Sequence, residues 1–168
     1  MAEKSKIEWT DSSWNFVTGC SKVSAGCTNC YAETLSLRLQ KMGSKRYKNG
    51  FKLTLHEDFL NLPLKWKKPK KIFVNSMSDL FHKDVPFEFI DKAWNIMEKA
   101  NWHIFQILTK RPERMLEFCL KRKNILPNVW LGTSVEDWRV TDRINILRKI
   151  PSKIRFISFE PLIDDVGG

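Results

Sequence analysis

Two rhythms of apolar positions alternate along this chain. Short β-branched or aromatic runs give way to polar turns, and these to stretches with apolar residues three and four apart. The first run is Asn15-Phe16-Val17-Thr18-Gly19, and the helical pattern after it covers about Tyr31 to Met42, with Leu35, Leu39 and Met42 on one face. Phe51-Lys52-Leu53-Thr54-Leu55 alternates with period two and precedes a short helix near Phe59 to Trp66. Lys71-Ile72-Phe73-Val74-Asn75 predicts a third strand. Its helix is expected over Pro86 to Ala100, with Asp84 near the N-cap, Pro86 in the first turn and a broad apolar face built on Phe89, Ile90, Ala93, Trp94 and Met97.

The fourth strand is His103-Ile104-Phe105-Gln106-Ile107-Leu108, followed by a helix that Pro112 opens and that buries Met115, Leu116 and Cys119. Val129-Trp130-Leu131-Gly132 is the fifth, ahead of a helix carrying Val140, Ile144, Leu147 and Ile150. Ile154-Arg155-Phe156-Ile157-Ser158-Phe159 is the sixth. Strict alternation of this kind predicts one α/β domain over residues 1–168, with parallel strands joined by crossover helices. A closed eight-unit barrel takes roughly 250 residues. The expectation is therefore a partial (β/α)6 TIM-like barrel that is C-terminally short, with an open doubly wound sheet as the alternative.

With 42% hydrophobic and 29% charged residues the composition is that of a globular chain, which excludes wholesale disorder. No apolar run approaches the ~20 residues that span a bilayer. Met1-Ala2-Glu3-Lys4-Ser5-Lys6 has no apolar stretch of the kind a signal peptide needs, so a cytoplasmic protein without membrane association is expected. The net charge of +10 favours polyanionic partners, nucleic acid first.

Three of the four cysteines, Cys20, Cys27 and Cys30, form a C-x6-C-x2-C pattern directly after the first run. Thiolates are soft, charged donors, and a loop lets three of them converge on one metal centre. Gly19 and Gly26 precede two of them, where tight turns would aim the sulfurs. Three thiolates leave one position without a cysteine. An iron–sulfur cluster with one open iron accommodates that, whereas structural zinc would have to recruit His56, His82 or His103. A loop without metal is the third alternative. Cys119, on the apolar face of a helix, reads as a small buried hydrophobe.

Polar residues collect where the strands end. Ser76, Ser78 and Asp79 follow the third, Thr109, Lys110 and Arg111 the fourth, Thr133, Ser134, Glu136 and Asp137 the fifth, and Glu160 the sixth. The carboxyl ends of parallel strands surround the ligand site in α/β folds, and the cysteine loop belongs to the same rim. Helix capping explains any one group alone; their coincidence with the cysteines predicts a pocket. The run Lys65-Trp66-Lys67-Lys68-Pro69-Lys70-Lys71 and the trio Lys121-Arg122-Lys123 can neutralise phosphates, and an exposed tryptophan can stack on a base. Both precede strands, however, and so belong to the opposite face.

The cysteine loop in a βα-repeat chain resembles the radical S-adenosylmethionine superfamily, although the superfamily's usual spacing is C-x3-C-x2-C. Phe73-Val74-Asn75-Ser76-Met77-Ser78-Asp79-Leu80-Phe81, Ile107-Leu108-Thr109-Lys110-Arg111, Leu131-Gly132-Thr133-Ser134-Val135-Glu136 and Glu160-Pro161-Leu162 are similar to segments of its spore photoproduct lyase-like branch. Ile7-Glu8-Trp9-Thr10-Asp11, Thr109-Lys110-Arg111-Pro112-Glu113-Arg114 and Ser134-Val135-Glu136-Asp137 extend the resemblance to a bacterial and phage family with a three-cysteine motif.

The resemblance implies a [4Fe-4S] cluster on Cys20, Cys27 and Cys30, whose open iron chelates S-adenosylmethionine. Reductive cleavage would yield a 5′-deoxyadenosyl radical, with a reductase or flavodoxin-type protein as electron donor. Ser76 and Ser78 would meet the methionine part, Lys110 its carboxylate, and Ser134 and Glu136 the amine or ribose; Asp79 and Glu160 complete the set. A nucleic acid or nucleotide is the implied substrate. Relatives continue past Gly168 with another strand and a Gly-Gly-Glu-like segment, so a short or truncated member is expected. The alternatives are a zinc-stabilised, non-enzymatic nucleic-acid-binding module and a degenerate subunit that needs a partner.

Overall fold

The chain enters a parallel sheet at β1 (Ser12–Trp14) and leaves through an antiparallel ribbon of β2 (Val17–Thr18) and β3 (Thr54–Leu55). It then adds β4 (Lys71–Val74), β5 (Ile104–Thr109), β6 (Val129–Ser134) and β7 (Ile154–Ser158). The helices are α1 (Tyr31–Lys41), α2 (Leu62–Lys65), α3 (Phe87–Lys99), α4 (Pro112–Arg122) and α5 (Asp142–Lys149). The computed structural model describes residues 5–166. Met1 to Lys4, most of the segment on which the absence of a leader was read, lie outside the described residues, as do Gly167 and Gly168.

The main sheet has five strands in the order β1-β4-β5-β6-β7, and every neighbouring pair is parallel. The parallel α/β architecture is as expected; the sheet is open, with five strands rather than six. The difference lies in the first two apolar runs, which pair with each other through Val17↔Leu55 and Thr18↔Thr54. The edge beside β4 goes instead to the polar segment Ser12–Trp14, which is lashed there from its amino end. Asp11 exchanges backbone and side-chain bonds with Lys71 (3.0 and 2.8 Å), and the Thr10 hydroxyl donates to the Lys71 carbonyl at 3.0 Å.

The principal core fills the helix side of the sheet. Ile72, Val74, Phe105, Ile107, Val129 and Leu131 point there from the strands and meet Phe89, Ile90, Trp94 and Met97 of α3 and Met115, Phe118 and Cys119 of α4. The apolar face of α3 is thus buried as its spacing predicts. On α1 the outcome differs: Met42 is 71% exposed and Leu35 38%, while Ala32 and Ser36 face inward. Leu35 and Leu39 line a cavity, and Leu39 also packs against a small second cluster of Ala32, Tyr47 and Met77. Among the described residues no helix is long and apolar enough to cross a membrane.

Register decides the composition of the other face. Asn15, Asn75, Leu108, Gly132 and Phe156 fall in one row across the strands; one step further on lie Lys110, Ser134 and Ser158. A row of polar residues at the carboxyl ends, on the face turned away from α3 and α4, makes a cavity there.

Candidate functional site

That cavity holds about 810 Å³. Cys20, Cys27 and Cys30 all line it, each a free, half-buried thiol. Ser76, Ser78 and Asp79 reach it from beyond β4, Lys110 from just past β5, Ser134 from β6 and Glu160 from beyond β7. Among the described residues, no three His, Cys, Asp or Glu side chains are grouped as a ready metal cage, so the thiols share a wall without converging. As donors they still suit an iron–sulfur group: three thiols outside any disulfide on one cavity. The imidazoles that a zinc site would need are engaged elsewhere. His56 bonds Thr18 (2.8 Å), His103 bridges Lys70 N–H and the Pro63 carbonyl (3.1 and 2.9 Å), and His82 is built into the loop support described next.

Two clamps hold the cysteine loop, one at each end. At the first, Arg111 donates to the Ser21 carbonyl (2.9 Å), the Ser21 hydroxyl (3.2 Å) and the Cys20 sulfur (3.6 Å). Asp79 orients that guanidinium at 3.1 Å and also accepts from the Thr109 hydroxyl (2.7 Å), Lys110 N–H (3.0 Å) and Phe81 N–H (2.9 Å). His82 Nδ1 accepts from Asp84 N–H at 3.1 Å, so the proton sits on Nε2, which donates to Ser21 Oγ at 2.9 Å. Burial, and then the Arg111 charge, hold this imidazole below its ordinary pKa. Burial and Asp79 push the Cys20 thiol up, with Arg111 as partial offset.

At the second clamp Glu136, fully buried, accepts from the Ser24 hydroxyl and from Gly26 N–H (3.3 Å). Arg143, itself buried, pairs with the same carboxylate at 2.9 Å and bonds the Ser134 carbonyl at 2.8 Å. Only glycine fits at 26, because a Cβ there would stand 2.9 Å from the Glu136 carboxyl carbon. Glu136 therefore sits beneath the loop and is not among the cavity-lining residues.

The remaining expected residues divide by how their polar atoms are spent. Ser76 donates to Asn15 Oδ1 (3.2 Å) and Ser78 to the Val17 carbonyl (2.9 Å), leaving hydroxyl oxygens that still accept. The Lys110 ammonium has no hydrogen-bond or ion-pair partner among the described residues. Asp79 acts as the strut between β4, β5 and Arg111. Arg111 was placed on the strand-end rim without a role, whereas Asn15 and Asn75 were not foreseen as site residues. Asn75 adopts φ 57°, a conformation that asparagine tolerates, and its Oδ1 accepts from Phe16 and Val17 N–H (3.1 and 3.0 Å). Trp66 is buried in the core, so the basic run around it presents no aromatic for stacking.

Fold and site together define an open five-stranded parallel α/β sheet with a three-thiol cavity at its carboxyl strand ends. The chain belongs to the family described as "Protein of unknown function (DUF5131)", whose model matches residues 4–168. No curated protein matches it. In fold it is similar to spore photoproduct lyase complexed with dinucleoside spore photoproduct, with a TM-score of 0.62 at 16% identity over 97% of this chain. A mutant of that enzyme with bound AdoMet and dinucleoside spore photoproduct superimposes with a TM-score of 0.52, at 14% identity over 89% of this chain. The chain spans about half the length of these structures, 49% and 44% respectively.

Proposed function

We propose that this chain is a radical S-adenosylmethionine protein. It would hold a [4Fe-4S] cluster on Cys20, Cys27 and Cys30 and S-adenosylmethionine in the adjoining cavity, and act on a nucleotide or nucleic acid. The observation that carries this reading is the meeting of three free thiols with Lys110, Arg111 and the strand-end serines on one cavity. The fold shared with an enzyme whose solved structure contains AdoMet and a dinucleoside supports it.

When bound, the cluster supplies the electron for reductive cleavage of S-adenosylmethionine. The chain's own residues supply place and charge. Lys110, with its ammonium unpaired among the described residues, would neutralise the methionine carboxylate. Ser76, Ser78 and Ser134 would offer hydroxyls to the amine and ribose, and Glu160 a carboxylate at the far strand end. Arg111 and Glu136 would keep the loop in shape while the thiolates bind, so that little ordering cost falls on cofactor assembly. The cavity wall of Leu35, Leu39, Tyr47 and Phe51 would exclude water from the reacting groups.

Anaerobic purification with iron, sulfide and visible absorbance tests the reading. Brown protein with about four irons per chain is expected, with the colour lost in Cys27→Ala. Colourless protein after reconstitution would overturn it.

A further inference from the structure

Trp9 is a half-buried indole that the principal core does not account for. That core lies on the helix side of the sheet and contains neither Trp9 nor Phe73 nor Phe156. The three rings stand together on the opposite face, with centroids 4.9 Å apart for Trp9–Phe73 and 6.2 Å for Trp9–Phe156. Neighbouring groups hold them there. Gln106, buried on β5, donates from its amide to the Trp9 carbonyl at 3.3 Å, and the next residue, Thr10, is tied to Lys71. Phe156 occupies space that only a glycine leaves open, because a Cβ at Gly132 would lie 2.6 Å from its ring. Glycine within a strand weakens it and marks a close approach; here the approaching group is the ring beneath Trp9.

Trp9 and Phe73 line the same cavity as the cysteines. So do Ser13, Ser134 and Ser158, whose hydroxyls make no hydrogen bond among the described residues. An aromatic surface edged by unengaged hydroxyls suits a flat ligand that is apolar on its faces and polar at its rim. Hydroxyls both donate and accept, as the mixed edge of a heterocyclic base requires. The charge of +10 favours such a base when it is carried on phosphates. Resting on the site reading above, we propose that the Trp9–Phe73–Phe156 platform seats a nucleobase of the substrate, stacked on Trp9 with Ser13 and Ser158 at its polar edge.

The test uses the full chain without metal, so that cluster loading does not enter. The probes are thymidine and deoxyadenosine dinucleotides, with ribose 5-phosphate as the base-free control. Both dinucleotides are expected to bind with upfield shifts of their base protons. Trp9→Leu is expected to weaken binding about tenfold or more, since stacking contributes that much per base. Trp138→Leu, at an indole 62% exposed and outside the cavity, is expected to leave binding unchanged.

Absence of binding, equal affinity in Trp9→Leu, or ribose 5-phosphate binding as tightly as the dinucleotides would overturn the proposal. Displacement of the dinucleotides by S-adenosylmethionine would also overturn it, by giving the platform to the cofactor's adenine. Should Trp9→Leu fail to fold, the base-proton shifts in the unaltered chain decide: upfield shifts support the seat and their absence refutes it. Dinucleotide binding in a chain that assembles no cluster would leave the seat standing and the cofactor reading fallen. Cluster assembly without binding would do the reverse.

Discussion

Glu136→Ala removes the tether beneath the cysteine loop, and its cost can be worked from the contacts. The carboxylate is fully buried and serves three donors on two oxygens: the Ser24 hydroxyl, Gly26 N–H and Arg143. Truncation leaves the Arg143 guanidinium buried with one bond, to the Ser134 carbonyl. Stranding one partner of a buried pair costs about 3–5 kcal/mol. Two lost loop bonds add about 1 kcal/mol each. The surviving Ser134 bond moderates the first figure, so a loss of about 4 kcal/mol is expected, a large part of the ~5–15 kcal/mol that such a domain has. Urea denaturation measures the loss, and hydrogen exchange over residues 20–30 shows whether the loop is where it falls. Adding Arg143→Met should return part of the stability, because the stranded charge is then gone. A change within about 0.5 kcal/mol, or unaltered loop exchange, would refute the tether.

Thiol reactivity should separate the cysteines by environment. Burial pushes the Cys119 thiol up to about 12, so alkylation at pH 8 should spare it and modify Cys27 and Cys30 first, with Cys20, whose thiol burial and Asp79 also raise, slower than those two, a pattern that mass spectrometry reads directly. Stability should also fall with acidification. Burial, first among the causes, holds His56, His82 and His103 below the ordinary imidazole value, so below about pH 6.5 the unfolded chain takes up protons that the folded chain refuses. Unfolding free energy is expected to drop from pH 7.5 to pH 5. His103→Gln should flatten that slope by at most about 1.4 kcal/mol per pH unit, and a profile that rises toward acid would refute the assignment.

How much of this was legible in the chain differs from element to element. Strands β4 to β7 and helices α3 and α4 fall where the apolar rhythm places them, because a residue's nearest neighbours on a helix or strand are also near in sequence. The edge strand β1 was missed because Ser12 and Ser13 carry little strand propensity and Trp14 alone makes no apolar run; pairing with β4 and the Asp11–Lys71 lashing impose the conformation. The run at Phe51–Leu55 has a good strand pattern yet joins a ribbon, since nothing local tells a parallel partner from an antiparallel one. Leu35 and Met42 keep helical spacing, but what lies against a helix is not written in the helix.

The site divides in the same way. Three cysteines on one loop after an apolar run, and polar residues where the strands end, are local facts, and the alternation of strand and helix already puts them on one rim. Which of those polar groups face the cavity and which work as struts depends on contacts between residues as distant in sequence as Ser24 and Glu136 or Cys20 and Arg111. Glu136 and Ser134 are only two positions apart, and yet one is sealed beneath the loop while the other lines the cavity. The sequence by itself determined the layered α/β order and the chemical groups available at the strand ends, because both follow from periodicity and adjacency. Only the tertiary structure decided register, the two clamps and the company Trp9 keeps, because those arise where strands far apart in the chain are brought side by side.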